Sequence, residues 1–266
     1  KMINAVEETQ KRGLNRAEHR LHLRCELPHH TTLPLFEKLV GREPVSLVSL
    51  MDHSPGQRQF ANIEKYREYY QGKYSLNDAE MARYEEEQLQ LAAQWSQPNR
   101  LSIAAMCRDR NIALASHDDA THDHVRESHQ LGSVIAEFPT TFEAAEASRK
   151  HGMNVLMGAP NIVRGGSHSG NVAASRLASL GLLGILSSDY YPASLLDAAF
   201  RVADDENNSF TLPQAIRLVT KNPASALNLH DRGEIAEGKR ADLVLAHRKG
   251  EHIHIDHVWR QGKRVF

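Results

Sequence analysis

The chain of 266 residues has few cysteines, few aromatic residues and almost no net charge. Its two cysteines, Cys25 and Cys107, are too few for a disulfide framework, which favours a reducing compartment. A formal net charge of −1 gives no overall attraction to nucleic acid or to an anionic membrane. No apolar run approaches the roughly 20 residues of a membrane span, and the first residues resemble an amphipathic helix rather than a signal peptide. We therefore expect a soluble cytoplasmic protein without nucleic-acid or membrane partners.

Three short apolar runs each end on a side chain that can bind a metal. VSLVSLMDH ends at His53, IALASHDD reaches His117, and GILSSDY reaches Asp189. Helix-like sequence separates these runs, as it separates the parallel strands of an α/β barrel. Chemistry in such barrels lies at the C-terminal ends of the strands. Two histidines and an aspartate in those places indicate a metal-dependent hydrolase.

The strand predicted at 19–26 adds a fourth candidate ligand. Alternation along a strand places His22, Arg24 and Glu26 on one face, so that Glu26 joins the interior set and could bridge two ions. Asp189 suits a weak ligand and also the group that accepts a proton from water. The alternative is that each such side chain only caps a strand or bonds a backbone amide. We favour that alternative for one residue alone, and the metal site for three together.

Other candidate ligands are assigned to less specific roles. Asp118 and Asp119 sit beside His117, and we assign them to a helix surface or to capping, together with the histidines of the helix that follows. His252 and His254 form an HxH pattern in the tail, and alternation would put both on one face. They are far in sequence from the predicted barrel, so we assign them to the surface.

The number of strands sets the predicted domain organisation. Six barrel-type strands are predicted, whereas a closed TIM-like (β/α)8 barrel needs eight. We therefore expect a barrel over residues 1–222 from which the first strands are missing in the chain as given. The tail, 223–266, turns to short β segments, and we predict that it belongs to a small composite β-sandwich domain.

Two segments could bind phosphate. The insertion after His53 mixes basic and aromatic residues; it is either a clamp for phosphates and a ring, or an amphipathic helix with its tyrosines packed inward. We weigh these equally for the helix but favour function for Arg58, which lies in the turn. The loop NIVRGGSHSGN carries Arg164 and His168 before a helix, and its amides could cradle an anion.

Four long motifs together resemble the phosphonate-metabolism hydrolases of the amidohydrolase superfamily. The motifs are LVSLMDHSPGQRQF, ALASHDDATHDHV, MGAPNIVRGGSHSGN and LSSDYYPASLL. The tail from NPASALNL to GEIAEGKRADLVLAH is similar to the closing segment of many amidohydrolases. The resemblance covers essentially the whole chain and corresponds to the C-terminal portion of such enzymes, because the histidine motif of the family's first strand is absent.

The resemblance implies hydrolysis of α-D-ribose 1-methylphosphonate 5-triphosphate to the 5-phosphate and pyrophosphate, in the bacterial carbon–phosphorus lyase pathway. The implied ligands of one or two divalent ions, with zinc and manganese both suitable, are His53, His117, Asp189 and, less firmly, Glu26. Water would attack the α-phosphorus and Asp189 would take its proton. We predict from charge and position that Arg58, Arg164 and His168 hold phosphates.

Two other readings stay open. One is another amidohydrolase acting on a cyclic amide or an aminated ring, against which the basic insertion argues. The other is a non-catalytic subunit that keeps the fold for assembly and needs no stoichiometric metal. Assembly into a homo-oligomer is left open as well.

Overall fold

The structure is a computed structural model that describes residues 1–166, 170–250 and 252–266. Six strands follow one another in a sheet in the order β1-β2-β3-β4-β5-β6, and three more form an antiparallel sheet in the order β7-β8-β9. The strands are β1 (Leu21–Glu26), β2 (Val45–Met51), β3 (Ala113–His117), β4 (Ile135–Glu137), β5 (Asn154–Gly158), β6 (Leu183–Ser187), β7 (Leu243–Lys249), β8 (His252–Arg260) and β9 (Lys263–Arg264).

Helices separate most of the strands. They are α1 (Met2–Lys11), α2 (Thr32–Leu39), α3 (Ile63–Tyr74), α4 (Asp78–Asp109), α5 (His122–Gln130), α6 (Phe142–Lys150), α7 (Ala159–Val163), α8 (Ala174–Ser179), α9 (Ser194–Asp204), α10 (Leu212–Arg217) and α11 (Lys221–Ala226), with a short 3-10 helix at Arg58–Phe60. The predicted α/β class with a small C-terminal β segment is confirmed. The described helices include none whose length and apolarity would let it cross a membrane.

The chain divides into two compact units. One is His22–Val155, and the other joins Lys1–Leu21 to Leu156–Phe266. The predicted boundary at residue 222 separates the barrel from the β segments of the tail rather than two compact units, and it stays a prediction.

In the unit His22–Val155 strand β3 pairs in parallel with β2 on one side and with β4 on the other. Ser49 of β2 is level with Ala115 of β3, and His117 of β3 is level with Glu137 of β4. Strand β3 is buried along its whole length, as expected where helices cover both faces of a parallel sheet. This register brings the C-terminal ends of β2, β3 and β4 to one edge, which positions the side chains of the candidate site.

Helix α4 contains a proline in its interior. A proline such as Pro98 favours the first turn of a helix, but α4 runs unbroken through it for 32 residues. Its start is fixed by a capping box between Asn77 and Glu80. Beyond the proline, Asn99 donates to the backbone oxygens of Leu27 and His29, and Ile103 is fully buried. Tertiary packing of the second half therefore holds the helix together where local propensity would end it.

The other unit contains the antiparallel sheet and an ionic cluster. Strand β7 pairs with β8 over seven residues with a bulge between Leu245 and Ala246. Glu18 accepts hydrogen bonds from Arg232 and Arg240 at 3.0 and 2.6 Å. These bonds tie the segment before β1 to the segment before β7, two regions far apart in sequence.

Candidate metal centre

His53 and His117 come together at the strand ends, as the sequence predicts. His53 lies two residues after β2 and His117 is the last residue of β3. Their ring centroids are 5.8 Å apart. A nitrogen of each ring and a carboxylate oxygen of Asp118 all lie within 4.8 Å of one another. Three ligand atoms from two neighbouring strand ends therefore converge on one point.

Each histidine is held by a carboxylate on its other nitrogen. Glu26 Oε2 lies 2.6 Å from His53 Nδ1, and Glu26 Oε1 accepts from the His53 backbone amide at 3.0 Å. Glu137 Oε2 lies 2.7 Å from His117 Nδ1. Such carboxylate partners fix the ring orientation and the tautomer, and leave Nε2 as the ligand atom. Here Glu26 is placed to orient His53, while its predicted role as a bridging ligand stays a prediction.

The spacing of these atoms fits a divalent ion. His117 Nε2 lies 3.3 Å and His53 Nε2 lies 3.6 Å from Asp118 Oδ2. Ligand atoms bound tetrahedrally at about 2.0–2.2 Å are about 3.3–3.6 Å apart. Two imidazoles and one carboxylate also form a donor set that zinc and similar metals prefer. The residues present therefore fit a metal that keeps a further position open for water or substrate.

The electrostatics of the site favour positive charge. Burial alone would lower the pKa of His53, but its hydrogen bonds with Asp118 and Glu26 raise it to about 9. Burial would likewise raise the pKa of Glu137, and the interaction with His117 lowers it instead. Carboxylates thus hold a positive charge on an imidazole at neutral pH, and a divalent cation supplies that charge in the same place.

Asp118 corrects the sequence assignment. Asp118 and Asp119 were assigned to a helix surface or to capping, but both are buried, and helix α5 begins only at His122 with Thr121 as its N-cap. Asp118 follows β3 directly in a left-handed conformation with φ of 56°. Aspartate tolerates that conformation better than most residues. The turn aims its carboxylate at both histidines, which strand alternation could not reveal.

Asp189 lies in the other unit, two residues after β6, with φ of 49°. A Cβ at Gly158 would come 3.2 Å from its Oδ2, so glycine at the end of β5 makes room for this carboxylate. Its roles as metal ligand and proton acceptor stay predictions. Arg164 follows α7 and donates to Tyr190 Oη at 2.9 Å. The predicted phosphate ligand His168 lies outside the described residues.

Comparisons with known proteins decide the family. The model of the amidohydrolase family matches residues 36–266. The chain belongs to the amidohydrolase family. Across all 266 residues it is 88% identical to α-D-ribose 1-methylphosphonate 5-triphosphate diphosphatase of Escherichia coli (strain K12), and it spans 70% of that protein's length.

A solved structure supports the fold. The structure of 5-methylcytosine deaminase from Klebsiella pneumoniae, liganded with 5-fluorocytosine, superposes with a TM-score of 0.50 at 13% identity. The match covers 98% of this chain and 75% of the deaminase chain. At that identity the likeness speaks for the fold alone, and it agrees with the sheet described above.

In this amidohydrolase an ionic network is buried behind the metal centre. The guanidinium of Arg58 pairs with Asp119 and, at 3.1 Å, with Glu127. Arg100 of α4 pairs with Asp52 at 3.2 Å and with Glu127 at 2.9 Å. Burial and repulsion from Arg100 lower the pKa of Arg58 to about 10, so it remains cationic at neutral pH. This placement favours an internal structural role, and the predicted phosphate contact of Arg58 remains untested.

Arg24 is a cation of this amidohydrolase to which the sequence assigned no role. Its Nη2 lies 3.2 Å from His117 Nε2 and its Nε donates to the sulfur of Met51 at 3.3 Å. The Arg24 side chain is exposed, so it has room to move if a metal binds His117 Nε2. Strand alternation had placed Arg24 on the interior face with Glu26, and that was the signal that could have identified it.

Proposed function

We propose that this amidohydrolase hydrolyses α-D-ribose 1-methylphosphonate 5-triphosphate to α-D-ribose 1-methylphosphonate 5-phosphate and pyrophosphate. The observation that carries the proposal is its 88% identity, over the whole chain, to the Escherichia coli diphosphatase of that substrate. The convergence of His53, His117 and Asp118 supports it, because hydrolysis of a phosphoric anhydride is chemistry that divalent metals promote. The reaction belongs to phosphonate catabolism.

The residues of the chain have distinct tasks in this reaction. A divalent ion held by these residues would supply a Lewis acid that offsets charge on a phosphoryl oxygen and acidifies water. Glu26 and Glu137 keep the Nδ1 atoms of the histidines engaged, which leaves both Nε2 atoms as the nitrogens that would bind the ion. Arg24 stands beside His117 as a cation for a phosphate oxygen of the substrate.

The bond changes in the proposed reaction balance without a further reactant. Water attacks the α-phosphorus, and the bond from that phosphorus to the oxygen bridging to the β-phosphorus breaks. Pyrophosphate leaves with the bond electrons, and Asp189 accepts the proton of the water, as its position after β6 suggests. Arg164 and His168 are proposed to hold phosphates, and Asp189 to add a ligand to the ion.

The other readings are supported less. An amidohydrolase acting on a cyclic amide or aminated ring shares the fold, but the relative at 88% identity is a diphosphatase. A non-catalytic subunit would need no carboxylate behind each histidine. Cytoplasmic location, the choice between zinc and manganese, and assembly into a homo-oligomer remain predictions.

The test is pyrophosphate release from the triphosphate, with added divalent metal and with chelator as control. We expect release that chelator abolishes and that metal restores. Asp118→Asn keeps the left-handed backbone and removes the charge, so it should lose bound metal and release together. The exposed Asp123→Asn on α5 is the matched control and should retain both. A metal-loaded protein that releases no pyrophosphate from this substrate would refute the proposal.

A further inference from the structure

A cavity of about 360 Å³ opens beside the metal centre in the unit His22–Val155. The residues that line it include His53, Glu26, Tyr69, Lys73 and Tyr74. The volume lies in the range of small-molecule sites, about 300–1,000 Å³. The cavity therefore joins the proposed reaction centre to the segment that follows β2.

The tyrosines divide between core and cavity. Tyr66 is 1% exposed and packs against Phe60 and Met81, whereas Tyr69 and Tyr74 are about half exposed, at 51% and 50%. The phenyl ring of Phe60 lies 6.2 Å from the imidazole of His53, measured between centroids. Only part of α3 thus behaves as an amphipathic helix with tyrosines packed inward, and the rest leaves aromatic rings open to a ligand.

Among the residues that line this cavity, Lys73 is the one lysine or arginine. Its Nζ lies 5.5, 5.5 and 5.2 Å from the ring centroids of Tyr69, Tyr70 and Tyr74. Within the described part of the chain, no carboxylate lies at ion-pair distance from Lys73, and the cavity's Glu26 already pairs with His53. One ammonium charge is therefore left for a ligand.

The tyrosine hydroxyls add neutral hydrogen-bonding groups. Burial raises the pKa of Tyr70, and burial together with Tyr74 raises the pKa of Tyr84 to about 12. Both hydroxyls stay protonated at neutral pH and can donate to or accept from sugar hydroxyls. Aromatic faces with hydroxyl edges suit a sugar ring and a methyl group.

We propose that this cavity holds the ribosyl methylphosphonate end of the substrate, with Lys73 as the counter-ion of the phosphonate. The inference rests on the proposed function and names the part of the substrate that does not react. A methylphosphonate ester carries one negative charge and an apolar methyl group, which matches one ammonium among aromatic rings. The triphosphate carries several negative charges, and a divalent ion together with Arg24 would balance more of that charge than a single lysine would. Lys73 thereby determines specificity at C1 of the ribose.

The test compares two substrates with Lys73→Met. One is α-D-ribose 1-methylphosphonate 5-triphosphate, and the other is methyl α-D-ribofuranoside 5-triphosphate, which lacks the phosphonate. We expect kcat/KM to fall roughly 10–100-fold for the first substrate, mainly through KM, because a charged hydrogen bond is lost. For the second substrate it should not change. Lys73→Arg should restore part of the loss, and Lys65→Met, an exposed lysine of the same helix, is the matched control.

Equal losses on both substrates would place Lys73 at the triphosphate and overturn the inference, as would no loss on either. A second readout needs no turnover: calorimetric binding of α-D-ribose 1-methylphosphonate 5-phosphate. We expect Lys73→Met to weaken that binding roughly 10–100-fold and to leave methyl α-D-ribofuranoside 5-phosphate unaffected. If the unchanged protein binds the phosphonate sugar through Lys73 but releases no pyrophosphate, the proposed function fails while the cavity assignment stands. If it does not bind, the cavity assignment fails.

Discussion

Two pairs of histidines in this molecule bring their rings close together in different surroundings. His53 and His117 lie at the ends of parallel strands, and each has a carboxylate on Nδ1 and another carboxylate near Nε2. His247 and His254 face each other across the β7–β8 hairpin, with ring centroids 5.4 Å apart. Among the described residues, His247 alone of these two contacts a carboxylate, that of Asp256, and its side chain is 54% exposed.

The difference indicates what suits a histidine pair to bind a metal. Closeness of two rings on one face, as for His247 and His254, does not by itself fix their orientations. The strand-end pair has an orienting carboxylate on Nδ1 of each ring and the carboxylate of Asp118 near both Nε2 atoms. The fold has already ordered these side chains, so binding a metal ion costs little further conformational entropy. We therefore expect this site to bind a metal ion more tightly than a mobile surface pair does.

The largest expected effect comes from replacing one histidine of each pair. Loss of a residue that only orients a metal ligand lowers metal affinity or activity by at most roughly 100-fold. His117→Ala should reduce bound metal and pyrophosphate release by more than that, because His117 is itself a candidate ligand. His254→Ala should change neither, because it lies on an exposed strand face. Metal analysis by mass spectrometry and the release assay measure both. Bound metal that survives His117→Ala but not His254→Ala would reverse the comparison.

The ionic network behind the centre should govern stability rather than turnover. Arg58→Met leaves Asp119 buried without its cation, and we expect the free energy of unfolding to fall by about 3–5 kcal/mol. The exposed Arg126→Met breaks only a surface pair and should cost under about 1 kcal/mol. Urea unfolding measures both. A stable Arg58→Met protein with weakened substrate binding would instead support the predicted phosphate contact.

The orienting carboxylates give a smaller effect that separates them from ligands. Glu137→Gln keeps the shape and a hydrogen-bond acceptor for His117 but loses the charge, so metal affinity should fall roughly 10–100-fold. Glu143→Gln alters the carboxylate near the exposed His122 and is the matched control. Titration with a metal indicator gives the affinities. Equal affinities in the two variants would show that burial and geometry, without the charge, suffice.

The smallest effect concerns pH and the other unit. Burial would raise the pKa of Glu18, but hydrogen bonds from Arg240 and Arg232 lower it from 4.5 to about 2. The ionised form therefore stabilises the fold fully above pH 4.5, and this contribution disappears as pH falls towards 2. Glu18→Gln should lower stability at pH 7 by about 1 kcal/mol and flatten the loss of stability on acidification. Thermal unfolding at a series of pH values would test this, and parallel curves for both proteins would contradict it.

The sequence predicted the strands and the two histidines at their ends because both follow from short-range patterns. Apolar runs such as VSLVSLM reveal parallel strands; His53 lies two residues after one of them, and His117 ends another. Resemblance to amidohydrolases then supplied the reaction. These features depend on residues close in sequence, which alternation and strand ends describe well.

The remaining site residues depend on turns and on partners distant in sequence. Asp118 faces the histidines because its own backbone adopts a left-handed conformation. The role of Glu137 could not be predicted from local patterns, because its partner His117 is 20 residues away in sequence. Arg58 looked like a ligand for phosphate because its two carboxylate partners come from beyond β3. Pro98 suggested a helix start because packing against the loop after β1 could not be read from local sequence.

The left-handed turn at Asp118 has a consequence for laboratory evolution. A non-glycine residue in that conformation costs about 1–3 kcal/mol, and glycine would relieve the cost while removing a candidate ligand atom. A library sorted for thermostability alone is therefore expected to collect glycine at position 118 and to drift towards inactive sequences. Stability-guided redesign of this chain has to hold that position fixed and seek its gains elsewhere.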